Sequence, residues 1–469
     1  MEKPGEACGV FGVYAPNQRA AHLIYFGLFA LQHRGQESAG MSVSDGETVT
    51  VVKDLGLVAQ VFDERSLSAL PGHLGIGHTR YSTTGSNLWE NSQPAFRQVG
   101  SVGVALGHNG NLTNTARLAA LAPDCPGTTD SELMLDAIAA AVEDERSDGR
   151  GLESALVATL SKFEGAFSLV VMDQGRVIGV RDPHGFRPLC LGRLPGDGWV
   201  LASETAALDL VGAAYVRDVE PGEMVVIDAT GIRSVRPFEV CEPRLCLFEF
   251  VYFARPDSLL YGQSVQAARQ RMGRMLAEET PAEADVVVPV PESGIPAAQG
   301  FAAHSGIPYT DGLVKNRYIG RTFIEPSQLQ RDRGIKLKLN PIPATLAGKR
   351  VVLVDDSIVR GSTTRQLVAM TREAGAAEVH LRISSPPYRW PCFYGMDTSD
   401  RSQLLAARMS VVEIADYLGC DSLAYLSLEG LLAATEVAEA GFCTACLSGD
   451  YPTSIDLEAG KFVLEQAPA

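Results

Sequence analysis

Two patterns of apolar residues divide the chain. From residue 8 to about 235, short strand-like runs are interrupted by helical blocks. Runs at 40–44 and 48–53 flank Asp45-Gly46, which predicts a hairpin because both turn residues tolerate left-handed backbone. Further strand runs fall at 102–107, 166–173, 176–181, 199–203 and 223–228, and Cys8-Gly-Val-Phe-Gly starts the first strand. Helical blocks occupy 22–31, 131–145 and 152–163, and Thr129-x-x-Glu132 is a capping box for the second. Strands mixed with helices in this way predict a layered α+β domain with mostly antiparallel sheets. After about residue 245 the period changes. Val265, Ala268, Met272 and Met275 recur at helical spacing, and apolar strands at 285–290, 350–354 and 378–383 alternate with helices at 295–303 and 365–374. Continuous Val/Leu runs followed by helices predict a parallel sheet of βαβ units. The expected division is 8–237, then 245–440, with a tail over 441–469 and the boundary between Pro237 and Pro243.

The 469 residues suit two or three domains, and 46% hydrophobic with 20% charged content excludes wholesale disorder. A net charge of −16 argues against a nucleic-acid-coating protein, which needs clustered cation. The apolar stretch 20–32 is too short to cross a membrane. Nine cysteines, an odd number, and an N-terminus without an apolar signal core make a disulfide scaffold unexpected and a reducing cytoplasm the expected setting.

The richest chemistry lies in Val351-Val-Leu-Val-Asp-Asp-Ser-Ile-Val-Arg-Gly-Ser-Thr-Thr364. A buried strand runs into Asp355 and Asp356, then Arg360, Gly361, Ser362, Thr363 and Thr364 open a helix. Small residues at a helix N-terminus offer N–H groups and hydroxyls to an anion, and the carboxylates upstream could take ribose hydroxyls or a hydrated Mg²⁺. Neither the Walker nor the Rossmann glycine pattern is present. Between Lys315 and Lys338 stand seven Lys/Arg against two acids, which suits a lid over a polyanion or a solvated basic surface. The loop resembles that of the type I phosphoribosyltransferases. The resemblance implies an α/β domain binding phosphoribosyl pyrophosphate, with Lys315 and Arg321 on the pyrophosphate. It also implies Asp355, Asp356 and Ser293 (in Pro291-Glu-Ser-Gly-Ile295) at the ribose and Mg²⁺.

Four other segments occur in order: Leu31-Gln-His-Arg-Gly-Gln-Glu-Ser-Ala-Gly40, His78-Thr-Arg-Tyr-Ser-Thr-Thr-Gly85, Gly107-His-Asn-Gly-Asn111 and Thr129-Asp-Ser-Glu132. With Cys8 they resemble the class II glutamine amidotransferase domain, an N-terminal-nucleophile αββα sandwich. That resemblance implies that Cys8 is the nucleophile and becomes residue one when a propeptide, Met1–Ala7, is removed. A free α-amine of pKa ~7.7–8.0 can then serve as the base, which an amide nitrogen cannot. It further implies Arg80 on the glutamine carboxylate, Asp130 on its ammonium, Asn109 and Gly110 as the oxyanion hole, and Arg34 fixing the loop around the nucleophile.

Cys443-Thr-Ala-Cys446 is a C-x-x-C pair, and Cys246 and Cys392 stand alone. By themselves these four suit zinc, a redox pair or an iron–sulfur cluster. A glutaminase joined to a phosphoribosyltransferase over about Cys8 to Cys446 resembles the glutamine phosphoribosylpyrophosphate amidotransferases. Their iron–sulfur branch implies a [4Fe–4S] cluster on these cysteines. The family also implies glutamine and phosphoribosyl pyrophosphate as substrates, 5-phosphoribosylamine as product, purine nucleotides as inhibitors, and a homo-oligomer. The rival reading is a non-catalytic phosphoribosyl-fold nucleotide sensor. Such a sensor would lose the nucleophile or oxyanion residues, and Cys8, Asn109 and Gly110 are all present.

Overall fold

The computed structural model describes residues 7–82, 87–121, 128–146, 151–316, 339–398, 400–437 and 441–455. The first half forms two stacked antiparallel sheets. In spatial order, one contains Ala214–Asp218, Cys190–Arg193, Trp199–Ala202, Gly9–Tyr14, Leu74–Arg80, Ser38–Ser44 and Val49–Leu55. The other contains Gly231–Val235, Met224–Asp228, Arg176–Arg181, Gly165–Met172, Val102–Leu112 and Ala95–Val99. Val10, Ile76, Val170, Leu201 and Val225 fill the space between the sheets. The outer faces are covered by helices: Ala20–Ala30 packs Ile24 and Leu28 on the first sheet, and Asp130–Arg146 and Leu152–Leu160 pack Met134, Ile138 and Leu156 on the second. Four layers follow because each sheet is apolar on both faces and each helix on one.

The Asp45-Gly46 hairpin is present, joining Ser38–Ser44 to Val49–Leu55. The capping box is altered: Thr129 Oγ1 accepts from Glu132 N at 3.3 Å, but the Glu132 carboxylate takes the Thr128 N–H at 3.0 Å. Leu74–Arg80 was not expected as a strand. All seven residues are buried, so no polar alternation marks it, and glycines take the place of apolar side chains where Ile24 and Leu28 press on the sheet.

The second half is a parallel sheet, Val286–Pro289, Arg350–Asp355, Glu378–Ile383 and Ser422–Tyr425. Helices Val265–Glu279 and Ile295–Ser305 cover one face and Ser362–Glu373 and Val411–Leu418 the other. The fourth strand is short and half-buried, and its sequence lacks the continuous apolar run of its neighbours. No helix or strand occurs between Val235 and Leu245, and Val240 there is fully exposed. The C-terminal segment is tied down: Phe442–Cys443 pairs in parallel with Leu245–Cys246, and Phe442 and Leu447 enter the second domain's core.

Candidate active sites

Cys8 leads into the central strand of the first sheet, whose neighbour ends at Arg80. Its Sγ donates to the Tyr81 carbonyl at 3.3 Å and receives the Tyr81 N–H at 3.4 Å. Cys8, Arg80, Tyr81, Gln93, His108, Gly110, Thr129, Asp130 and Ser131 line one cavity of about 10 Å³, the room of roughly one water. Burial pushes the Cys8 thiol up to about 11, against the weaker opposing effects of the Tyr81 N–H and Arg80. A thiol held that high is a poor nucleophile without a base beside it.

Asp130 opens its helix and is buried. Burial raises its carboxyl pKa, but His108 and the Leu112 and Ser131 N–H groups outweigh that, leaving it below 3.8 and ionised. His108 Nδ1 lies 3.2 Å from Ser131 Oγ and 3.5 Å from Asp130 Oδ2, and its Nε2 lies 3.2 Å from the Ala166 carbonyl. Gln93 braces both, accepting from His108 N at 2.7 Å and donating to Ser131 Oγ at 3.0 Å. Gly110 has φ 150°, and a Cβ there would stand 2.0 Å from the Ala166 oxygen, so only glycine fits. Asn109 is fully buried, with Oδ1 and Nδ2 both lacking a hydrogen-bond partner among the described residues. A buried amide without partners is costly, and it suits a group that receives an oxyanion. Arg80 is 3% exposed and lies 3.9 Å from Glu37.

Arg34 is not at this cavity. Its Nε meets Glu204 Oε1 at 2.5 Å and its Nη2 meets Glu249 Oε2 at 2.5 Å, all three side chains being fully buried. Glu249 belongs to the second half of the chain, so Arg34 is an interdomain residue rather than a substrate ligand. The segment that follows Arg34 runs beside the strand next to the nucleophile's: Glu37 N donates to the Arg80 carbonyl at 3.1 Å.

The second site lies at the C-terminal end of the parallel sheet, the usual ligand side of such sheets. Asp355 ends its strand, and its Oδ1 accepts from Asp356 N at 2.9 Å. Asp356 accepts from Ser293 Oγ at 2.5 Å and Ser357 Oγ at 2.6 Å. Oxygen donors on two carboxylates and a hydroxyl suit a hard cation such as Mg²⁺. Lys315 Nζ lies 3.3 Å from Glu292, which places it next to Ser293. Gly361, at φ 79°, caps the helix Ser362–Glu373 without a side chain of its own, and Thr363 and Thr364 are buried in its first turn. Arg360 precedes it, half-buried; hydrogen bonds from Ser402 and Gln403 hold the Asp400 carboxyl below its usual range, and Arg360 adds a smaller share. Leu313–Lys315 pairs with Leu339–Pro341, so the two ends of the basic segment meet at one place; Arg321 lies outside the described residues.

Cys246, Cys392, Cys443 and Cys446 converge although they come from three separate segments. Cys246 sits opposite Cys443 in the parallel pair; burial pushes up the thiols of Cys246, Cys443 and Cys446, and the nearness of Cys392 to each of them adds to that rise. Among the described residues no three His, Cys, Asp or Glu side chains are closed around one metal ion. Four half-buried thiols in one neighbourhood are nonetheless the donor set of a cluster. This neighbourhood also touches the first domain: Asn111 Nδ2 donates to the Phe393 carbonyl at 3.1 Å, and Ala166 and Phe186 pack with Tyr394 and Ala445.

Glu204, Glu249 and His108 carry their roles with no sequence signal beyond a charged residue near an apolar run, or membership of a longer motif. Among the described residues no helix is long and apolar enough to cross a membrane.

The fold and the two sites define a glutaminase joined to a phosphoribosyltransferase. A glutamine amidotransferase domain profile matches residues 78–210 and a phosphoribosyl transferase domain profile matches residues 261–384. The chain is 53% identical over 482 residues to amidophosphoribosyltransferase of Mycobacterium bovis, covering 99% of this chain and 90% of that protein. To the protein of the same name from Synechococcus elongatus it is 52% identical, covering 100% and 96%. A solved structure described as the allosteric regulatory enzyme of purine biosynthesis aligns with TM-score 0.90 at 44% identity, covering 98% of this chain and 99% of that one. The glutamine phosphoribosylpyrophosphate amidotransferase from B. subtilis, complexed with ADP and GMP, aligns with TM-score 0.89 at 44% identity, covering 97% and 100%. The chain belongs to the amidophosphoribosyltransferase family and is a glutamine-dependent transferase, which sets aside the non-catalytic sensor.

Proposed function

We propose that this enzyme transfers ammonia from glutamine to phosphoribosyl pyrophosphate, giving 5-phosphoribosylamine, pyrophosphate and glutamate at the first step of purine synthesis. The carrying observation is one chain that gathers Cys8, Arg80, Gly110 and Asp130 around one cavity and Ser293, Asp355 and Asp356 at a sheet end. Arg80 takes the glutamine α-carboxylate and Asp130 the α-ammonium, orienting the side-chain amide toward Cys8. Removal of Met1–Ala7 frees the Cys8 nitrogen. That amine accepts the thiol proton as Sγ bonds to the amide carbon, and returns it to the departing ammonia. The Asn109 amide and Gly110 N–H hold the oxyanion. Water then hydrolyses the thioester to glutamate.

At the second site the helix of Thr363 and Thr364, with Arg360, Gly361 and Ser362, cradles the 5-phosphate, and Lys315 and Arg321 hold pyrophosphate. Asp355, Asp356 and Ser293 would hold Mg²⁺, which supplies charge neutralisation as pyrophosphate leaves. The segment from Lys315 to Lys338 closes over the sugar and excludes water, which would protonate ammonia and remove its nucleophilicity. Cys246, Cys392, Cys443 and Cys446 would hold a [4Fe–4S] cluster, which supplies a structural cross-link between the C-terminal segment and both domains. Purine nucleotides as inhibitors, a homo-oligomeric state and a cytoplasmic setting complete the reading.

The test gives glutamine, phosphoribosyl pyrophosphate and Mg²⁺ to processed protein and measures glutamate and pyrophosphate together. C8A is expected to lose glutamine-dependent synthesis by several orders of magnitude while ammonia-dependent synthesis stays within about threefold. Loss of both activities in a folded C8A protein contradicts the two-site reading.

A further inference from the structure

Arg187 is fully buried between the domains and is not part of either catalytic site. Its Nε donates to the Tyr394 carbonyl at 2.9 Å, and its Nη1 lies 3.1 Å from Glu249 Oε1 and 3.9 Å from Cys246 Sγ. The remaining nitrogen, Nη2, is buried with no hydrogen-bond partner among the described residues. It is turned toward the segment of Cys392: a Cβ on Gly395 would stand 2.8 Å from it. A guanidinium N–H left without an acceptor in a dry interior is unfavourable, and natural structures keep such groups for a ligand or ion. The chain offers the reason beside it. Four thiolates around a cubane leave the centre anionic overall, and hydrogen bonds and charge near the sulfurs set its potential and retention.

We propose that Arg187 is the positioning cation of the four-cysteine centre, donating to the Cys246 thiolate and offsetting the charge of the bound cluster. This rests on the cluster reading given above. The same side chain joins the centre to the glutaminase. Glu249 bridges Arg187 to Arg34, and Arg34 binds Glu204, so a continuous run of buried ion pairs leads from the cysteines into the first domain. Arginine suits this task because its fork serves a carboxylate and a thiolate at once, which a lysine ammonium does less well.

The test uses the full chain, purified anaerobically, as wild type, R187M and R187K. Iron per chain, the rate of iron release to a chelator and the reduction potential from an EPR-monitored titration are measured. Wild type is expected to hold about four irons. R187M should release iron about tenfold faster or more, with a more negative potential because the reduced, more anionic centre loses its cation. R187K should fall between the two. A soluble R187M whose release rate stays within about twofold of wild type at an unchanged potential overturns the proposal. Should R187M not fold, R187Q, which keeps polarity but not charge, is decided by the same two numbers. Zinc or no metal in wild type strikes the cluster reading itself, and is told apart because the wild-type metal content alone reports it.

Discussion

The glutaminase region draws Cys8, Arg80, Gly110 and Asp130 from four separate elements, two sheets and a helix start, and buries them in a cavity of about 10 Å³. The phosphoribosyl region takes Asp355 to Thr364 from one strand, its loop and the following helix, at an open sheet end. The first is therefore a site of register: Cys8 reaches Arg80 because Gly9 pairs with Thr79, and Gly110 reaches its place because it pairs with Phe167. The second is a site of local conformation, in which the chain's own turn presents the ligands. Register sites are held by the whole core and local sites by a few dihedrals, so the two respond differently to substitution.

The largest contrast is expected from Asp356→Asn. Losing one charge from the oxygen donor set should lower ammonia-dependent synthesis by about 10³-fold, about 4 kcal/mol of barrier, with glutamine hydrolysis changed far less. Equal loss of both activities would mean that the sites are not separable. Asn109→Ala sharpens the other side, costing about 10²–10³ in kcat for glutamine and leaving the ammonia reaction alone. A rise in KM at constant kcat would instead assign Asn109 to substrate binding.

Arg34→Met addresses what joins the regions. Burial disfavours the Arg34 charge, but Glu249 and Glu204 together raise its pKa, so the guanidinium stays charged. Its loss leaves Glu249 to Arg187 and Glu204 to His33 and Ser258, removing one cation from between two buried carboxylates, and should cost about 3 kcal/mol by denaturant unfolding. A change below about 1 kcal/mol would show that the interface does not depend on this chain of ions. The smallest effect concerns acid. Asp130 has a folded pKa below its ordinary 3.8, so its contribution to stability is complete above that value and disappears as pH falls through the folded pKa. Asp130→Asn should flatten the acid side of the stability curve below about pH 4, followed by thermal unfolding at stepped pH; an unchanged acid limb would remove Asp130 from the account.

Legibility followed the same division. The loop Asp355–Thr364 could be read because its chemistry is contiguous and its strand and helix have opposite periods. The glutaminase residues could be read only as a set, since Asn109-Gly110 alone is a turn pattern and Arg80 alone a surface charge. Arg34 was expected to fix the loop around the nucleophile, and its pairing with Glu249, 215 residues away, had no local signal. Arg187 carried no signal at all, because a charge balanced across an interface has no local period.

What the sequence alone determined was the alternation of apolar positions, and hence the two domain architectures, together with the chemical identity of each donor. Those properties live in single residues and their near neighbours. Only the tertiary structure decided which buried charges meet, that the Asn109 amide is buried without a partner among the described residues, and that four cysteines from three segments share one neighbourhood. Long-range pairing and desolvation set these outcomes, and neither is a property of any local stretch of chain.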